Sequence, residues 1–309
     1  MRQRSARELP RLFLLLALAL ALTSCGPRPT AGPATVELEQ TRATPPVGLP
    51  NVDGSFKFAV LGDFGNGERV QYELADQMVA FHKRFKYEYV ILVGDNIYGS
   101  ERPQDFVRKF ELPYKPLLDA GVKFYATLGN HDAREQRYFK LFNMEGQLYY
   151  TFNPSPEIRF FMLESTYPVP EQIQWLEDQL KASTSNWKIA VFHHPIYSSA
   201  GRHGSDLQLR EVLEPLFMKY NVSVVLNGHD HVYERVKPQN GIAYFVVGSG
   251  GQLRRGDLNP QSTITDKGYD TDLVFMVAEI VGDEMYFNAV SRGGQIVDSG
   301  VLARRKIIP

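Results

Sequence analysis

Five apolar runs, each ending in a short segment of side chains able to hold a metal, constrain this chain more than any other feature. In order the segments are Gly62-Asp63-Phe64-Gly65, Gly94-Asp95-Asn96-Ile97-Tyr98, Gly129-Asn130-His131-Asp132, His193-His194-Pro195 and Gly228-His229-Asp230-His231. The runs before them, residues 56–61, 89–93, 122–128, 187–192 and 222–226, read as buried strands. Helical patterns over 68–85 and 207–219 alternate with them, which gives an α/β fold. Residues just past a strand's carboxyl end lie where open α/β sheets place their ligands. Carboxylate, phenol, amide and imidazole together are the donor set for a pair of metal ions of unequal hardness.

The remaining segments read as scaffold. Pro103, Pro113 and Pro116 break up a short helical stretch, and residues 149–153 and 159–163 form a hairpin without evident chemistry. A helix over 170–182, with Ile173, Leu176 and Leu180 at helical spacing, is a packing element. Strands are expected at 242–247, 273–280, 284–290 and 296–302. The glycines after 247 are followed by no helical pattern and no Lys-Ser/Thr, so they do not read as a phosphate-binding loop. His82, on the first helix, has no assigned role.

The amino terminus reads as a leader. Arg2, Arg4, Arg7 and Arg11 precede an apolar run over 12–22, long enough for a signal peptide and too short to span a bilayer. Leu22-Thr23-Ser24-Cys25 follows and resembles the lipobox of bacterial lipoproteins, in which the cysteine is lipidated and becomes the first mature residue. Cys25 is the only cysteine, so no intrachain disulfide exists. Residues 25–55, rich in Pro, Thr, Ala and Gly, read as a semi-extended tether, which leaves 56–309 as the catalytic domain. The implied localisation is export with lipid anchoring in the cell envelope. Gly26 after the cysteine resembles the sorting pattern for an outer membrane.

Whole-chain net charge is −1. Residues 1–24 hold four arginines and one glutamate, so 30 basic and 34 acidic residues remain beyond them. That balance argues against a nucleic-acid partner or a general anionic-membrane surface, so any attraction for phosphate is local.

Gly-Asp-x-Gly, Gly-Asp-x-x-Tyr and Gly-Asn-His-Asp in succession resemble the calcineurin-like metallophosphoesterase superfamily. Tyr98 in the second motif resembles its purple acid phosphatase branch, the small tartrate-resistant type in particular. The resemblance implies a four-layer α/β/β/α sandwich with two mixed sheets. For the fourth motif, Val-x-x-His, two alignments exist, ending at His193 or at His194. His193 is preferred because the family's ligand stands two residues before the proline, which puts Ala190 where valine is usual. The resemblance then assigns Asp63, Asp95, Tyr98 and His231 to Fe3+, and Asp95, Asn130, His193 and His229 to Fe2+, Zn2+ or Mn2+. His131 and His203 are the implied substrate-facing histidines.

Charge supports this distribution. A phenol of free pKa about 10 becomes a ligand only beside a strongly acidic cation, which favours a trivalent ion near Tyr98. Three anionic ligands against a trivalent and a divalent ion leave a net of about +2, attractive to a phosphate dianion. The implied reaction is hydrolysis of a phosphate monoester small molecule by in-line attack of metal-bound hydroxide, with His131 or His203 protonating the leaving group. Two other readings stand beside it: a phosphodiesterase or nucleotidase of the same superfamily with two divalent metals, and a non-enzymatic anchored binding lipoprotein.

Overall fold

The computed structural model of the protein describes residues 47–306. The leader, Cys25 and most of the tether lie outside the described residues. Residues 47–55, assigned by sequence to the tether, are bonded to the domain. The buried Glu279 carboxylate accepts from the Asn51 and Val52 N–H groups at 2.6 and 2.7 Å and from Ser55 Oγ at 2.6 Å.

The chain runs β1 (Phe56–Leu61), α1 (Arg69–Phe85), β2 (Tyr89–Leu92), α2 (Pro103–Phe106), α3 (Leu112–Asp119), β3 (Lys123–Ala126), β4 (Tyr150–Ser155), β5 (Ile158–Met162) and α4 (Pro170–Ala182). It continues through β6 (Trp187–Val191), α5 (Leu207–Lys219), β7 (Val224–Asn227), β8 (Tyr233–Gln239) and β9 (Ile242–Val247). It closes with β10 (Thr265–Tyr269), β11 (Val274–Val281), β12 (Glu284–Ser291) and β13 (Ile296–Ala303). Expected elements therefore form within a residue or two of their sequence bounds. Strands β8 and β10 were not expected. Polar residues interrupt their patterns, and β10 is an edge strand that owes its existence to pairing with β8.

The expected break at the prolines is not seen. A π-helical turn, Val107–Glu111, joins α2 to α3. Pro113 sits just after this wide turn, where the regular i→i−4 ladder is already interrupted, so its missing N–H is tolerated.

One sheet has the order β13-β12-β11-β1-β2-β3 and the other β10-β8-β9-β7-β6-β5-β4, both mixed. Alternation along β1 shows how four layers arise. Phe58 and Val60 pack between the sheets with Phe160, Ile189 and Phe245. Ala59 and Leu61 face the other way, onto Leu74 and Met78 of α1 and Leu117 of α3. The far face of the second sheet meets Leu176 and Leu180 of α4 and Leu213 and Phe217 of α5. The result is the expected α/β/β/α sandwich. Strands β1, β2 and β3 are parallel in one sheet and β6 and β7 in the other, so their carboxyl ends gather the five motif segments.

Candidate metal centre

Backbone geometry aims the donors. Asp63, Asp95 and His229 adopt left-handed conformations, with φ of 54°, 51° and 71°. Such a residue costs roughly 1–3 kcal/mol unless its surroundings hold it there. Two glycines make room for the carboxylates. A Cβ at Gly129 would stand 2.2 Å from Asp95 Oδ1, and one at Gly228 would stand 2.5 Å from Asp63 Oδ2. Any side chain at either position displaces a buried carboxylate.

Two groups of donors result, and they share Asp95. In the first, the Tyr98 hydroxyl lies 2.9 Å from Asp95 Oδ2, 3.2 Å from Asp63 Oδ1 and 3.2 Å from His231 Nε2. One phenol proton faces three acceptor-capable atoms, so it can satisfy one of them. Ligand atoms of Asp63, Asp95 and His231 lie within 4.8 Å of one another. In the second group, Asn130 Oδ1 is 3.2 Å from His193 Nε2 and 2.9 Å from His229 Nδ1. His193 Nδ1–H donates to the Val93 carbonyl at 2.9 Å, which leaves Nε2 as a bare lone pair. That lone pair also lies 3.4 Å from Asp95 Oδ1 and 3.3 Å from His229 Nδ1. Oxygen and nitrogen lone pairs converge in both groups with too few protons to pair them, and a cation is the group that fits between them.

The titration behaviour agrees. Burial, then the neighbouring Asp95, holds the Asp63 carboxyl well above its usual range, and burial raises Asp95 too. Burial lowers His193 well below the ordinary imidazole value, His229 to about 2 and His231 to about 4. The imidazoles are therefore neutral, as ligation requires. Burial, then Asp63 and Asp95, pushes the Tyr98 phenol far above its ordinary value. It becomes phenolate only beside a strong positive charge.

All seven sequence-derived donors come together in these two groups. Asp95 presents one oxygen to each. Of the two histidines before Pro195, His193 enters the second group, while His194 Nδ1 is 2.9 Å from Ser165 Oγ. His131 and His203 stand at the rim. His131 is exposed, its ring centroid 4.9 Å from that of Tyr98, and its backbone N–H donates to Asp95 Oδ1 at 2.9 Å. The His203 ring stacks on His229 at 4.2 Å.

Sequence reasoning passed over two carboxylates inside its own motifs. Asp132 accepts from the N–H groups of Gly129, Asn96 and Ile97 and from Gln136 Nε2, fastening the loop of Asn130 to the loop of Asp95. The buried Asp230 accepts from Ser198 Oγ at 2.6 Å, and its other oxygen lies 3.4 Å from His203 Nδ1. Both occupy positions next to histidines in the motifs, which was the available signal.

Known proteins resemble this chain in the same region. The calcineurin-like phosphoesterase family model matches residues 56–233. Purple acid phosphatase 17 of Arabidopsis thaliana is 30% identical over 246 residues, covering 67% of this chain and 72% of that protein. Tartrate-resistant acid phosphatase type 5 of Rattus norvegicus is 26% identical over 245 residues, 63% of this chain and 72% of that protein. Among solved structures, a purple acid phosphatase from yellow lupin (Lupinus luteus) seeds superposes with a TM-score of 0.69 at 20% identity, covering 83% of this chain and 55% of that one, a likeness of fold. Because the family match runs from β1 past His231 and so takes in every donor of the cluster, the chain belongs to the calcineurin-like phosphoesterases and, within them, stands with the purple acid phosphatases.

Proposed function

We propose that this protein hydrolyses phosphate monoesters with Asp63, Asp95, Tyr98 and His231 holding a ferric ion and Asp95, Asn130, His193 and His229 holding Fe2+, Zn2+ or Mn2+. Its family makes it a metal-dependent acid phosphatase with a dinuclear centre. The observation that carries the ligand assignment is the Asp95 carboxylate, which turns Oδ2 to Tyr98 and Oδ1 to His193. Bound there, the two ions supply Lewis acidity toward the phosphoryl oxygens and lower the pKa of water.

The chain's own residues do the rest. Val93 fixes the His193 tautomer through its carbonyl, and Asp132 holds the Asn130 loop in place. His131 and His203 are exposed at the rim, where a substrate enters, and either can deliver a proton to the departing alkoxide. Asp230, with Oδ1 3.4 Å from His203 Nδ1, helps hold that ring at the rim.

Metal analysis of the purified protein with its absorption spectrum, together with p-nitrophenyl phosphate and bis(p-nitrophenyl) phosphate as substrates, tests the reading. Iron plus a second ion, a visible band and monoester preference are expected. Two divalent ions with diester preference would assign the protein to the alternative phosphodiesterase chemistry. No turnover by metal-loaded protein would leave an anchored binding lipoprotein.

We also propose that the protein is exported and held in the cell envelope by lipid on Cys25, a reading supported by the arginines, apolar run and Leu-Thr-Ser-Cys sequence of residues 2–25. Cys25→Ser should then move the protein out of the membrane fraction.

A further inference from the structure

Two surface loops are stitched together beside the cluster. Gly201 N–H donates to the Asp257 carbonyl at 2.7 Å, Asn259 N–H to Ser199 O at 3.1 Å, and Ala200 pairs with Leu258 in an antiparallel bridge. The first loop carries Arg202 and His203, and Arg202 Nε–H donates to His203 Nε2 at 3.3 Å. The second carries Arg254, whose backbone N–H donates to the carbonyl of His231 at 3.0 Å. The Arg202 guanidinium thus stands against His203, and Arg254 leaves the backbone beside His231 with its guanidinium toward Asp257.

Arg254 is the unusual one. Only 27% of its side chain is exposed, and its Nη1 is buried without a hydrogen-bond acceptor. Its nearest counter-charge, Asp257 Oδ2, is 3.8 Å away, beyond hydrogen-bond reach, and is itself without a donor. A buried charged donor left unmade is costly, so the group calls for a partner. A planar guanidinium matches the paired oxygens of a carboxylate or a phosphoryl group.

We propose that Arg254, aided by Arg202, forms an anion subsite on the leaving-group side of the cluster, which selects phosphate esters whose leaving group carries a second anionic group. This rests on the phosphomonoesterase reading, in which the metals take the scissile phosphoryl group and leave the rest of the ester to the loops. Asp257 competes for Arg254 while the subsite is free.

Calorimetry on the full-length, metal-loaded protein tests the subsite with methylphosphonate, phosphonoacetate and methylenediphosphonate, the last two adding a carboxylate or a second phosphonate. Wild type should bind at least one of these two roughly 10-fold or more tighter than methylphosphonate, the scale of a hydrogen bond to a charged group. Which one gains identifies the anion. Arg254→Met should abolish that preference, Arg254→Lys should keep part of it, and Asp257→Asn should keep or strengthen it. A wild-type preference below about twofold, well under the value of one such bond, would overturn the proposal. So would an unchanged preference in Arg254→Met, or equal losses in Arg254→Met and Asp257→Asn, which would make the pair a structural one. If Arg254→Met does not fold, the wild-type, Arg254→Lys and Asp257→Asn values decide. Turnover of p-nitrophenyl phosphate by wild type separates the two ideas: turnover without the preference sinks the subsite alone, while absence of both turnover and phosphonate binding removes the phosphatase reading and the subsite with it.

Discussion

His193 Nδ1 lies 2.9 Å from the carbonyl oxygen of Val93, one hundred residues earlier in the chain. The bond joins the end of β2 in one sheet to the end of β6 in the other. It fixes both the tautomer and the direction of the ring that faces Asn130 and Asp95. His193→Ala should remove the divalent ion while the first site stays filled, and should lower kcat by about 100-fold or more. Metal analysis beside steady-state kinetics checks this, and retention of both ions at full activity would contradict the assignment.

Tyr98 contributes a proton that only a metal can displace, since burial, Asp63 and Asp95 all favour the neutral phenol. Tyr98→Phe should keep the fold, because the ring still packs beside His131 and His231. It should eliminate the visible phenolate-to-iron band. A wild-type protein with iron bound and no such band would show that Tyr98 is not a ligand.

In the proposed reaction the Asp230–His203 pair bears on the leaving group. His203→Ala should slow hydrolysis of an alkyl ester such as glycerol phosphate by ~10²-fold, the low end of general-acid contributions, and slow p-nitrophenyl phosphate far less. The reason is that p-nitrophenolate departs without a proton. Asp230→Asn should act in the same direction by about 10-fold, because it perturbs the ring's orientation and leaves the ring in place. Equal effects on both esters would place His203 outside the proton-transfer step.

Metal-free protein should lose stability as pH rises from about 6.5 to 8. Burial and the nearby Asp95 push the Asp132 carboxyl up to about 7, and Asp63 and Asp95 are raised as well. A group whose folded pKa is raised stabilises the protein below its unfolded value and loses that contribution as pH climbs through the folded value. The lowered histidines act oppositely. Their contribution is lost as pH falls from the unfolded pKa of about 6.5 toward about 4 for His231, and it is complete only about a unit above 6.5, so they offset part of the decline near pH 6.5 and are flat above about pH 7.5. Loading with metal neutralises the carboxylate cluster and should remove the decline. Thermal melts of apo and loaded protein at intervals across that range make the comparison. A metal-free Tm that rises from pH 6.5 to 8 would show that the carboxylates do not control it.

What the sequence determined by itself was considerable, and the reason is local. Short, nearly continuous apolar runs bounded by turn residues specify buried strands from neighbouring residues alone, so β1, β6 and β9 were readable. The residue types at their ends pointed to a pair of metal ions, and the resemblance to the calcineurin-like phosphoesterases picked out the seven donors. Helices α4 and α5 were likewise written in their spacing. Strand β10 was not readable because its residues, Thr265 to Tyr269, form a strand only through their partners on β8.

The family's spacing before Pro195 favours His193 over His194, but the direction of its ring toward Asn130 comes from the fold, through a carbonyl on the other sheet. The partnership of Asp230 with His203 and the placement of Arg254 beside His231 belong to the same class. Each is a contact between loops distant in sequence, and its geometry follows from how two sheets pack rather than from any pattern along the chain. Periodicity carries information about a residue's neighbours along the backbone, whereas a lone pair's direction is fixed by whatever the fold brings opposite it.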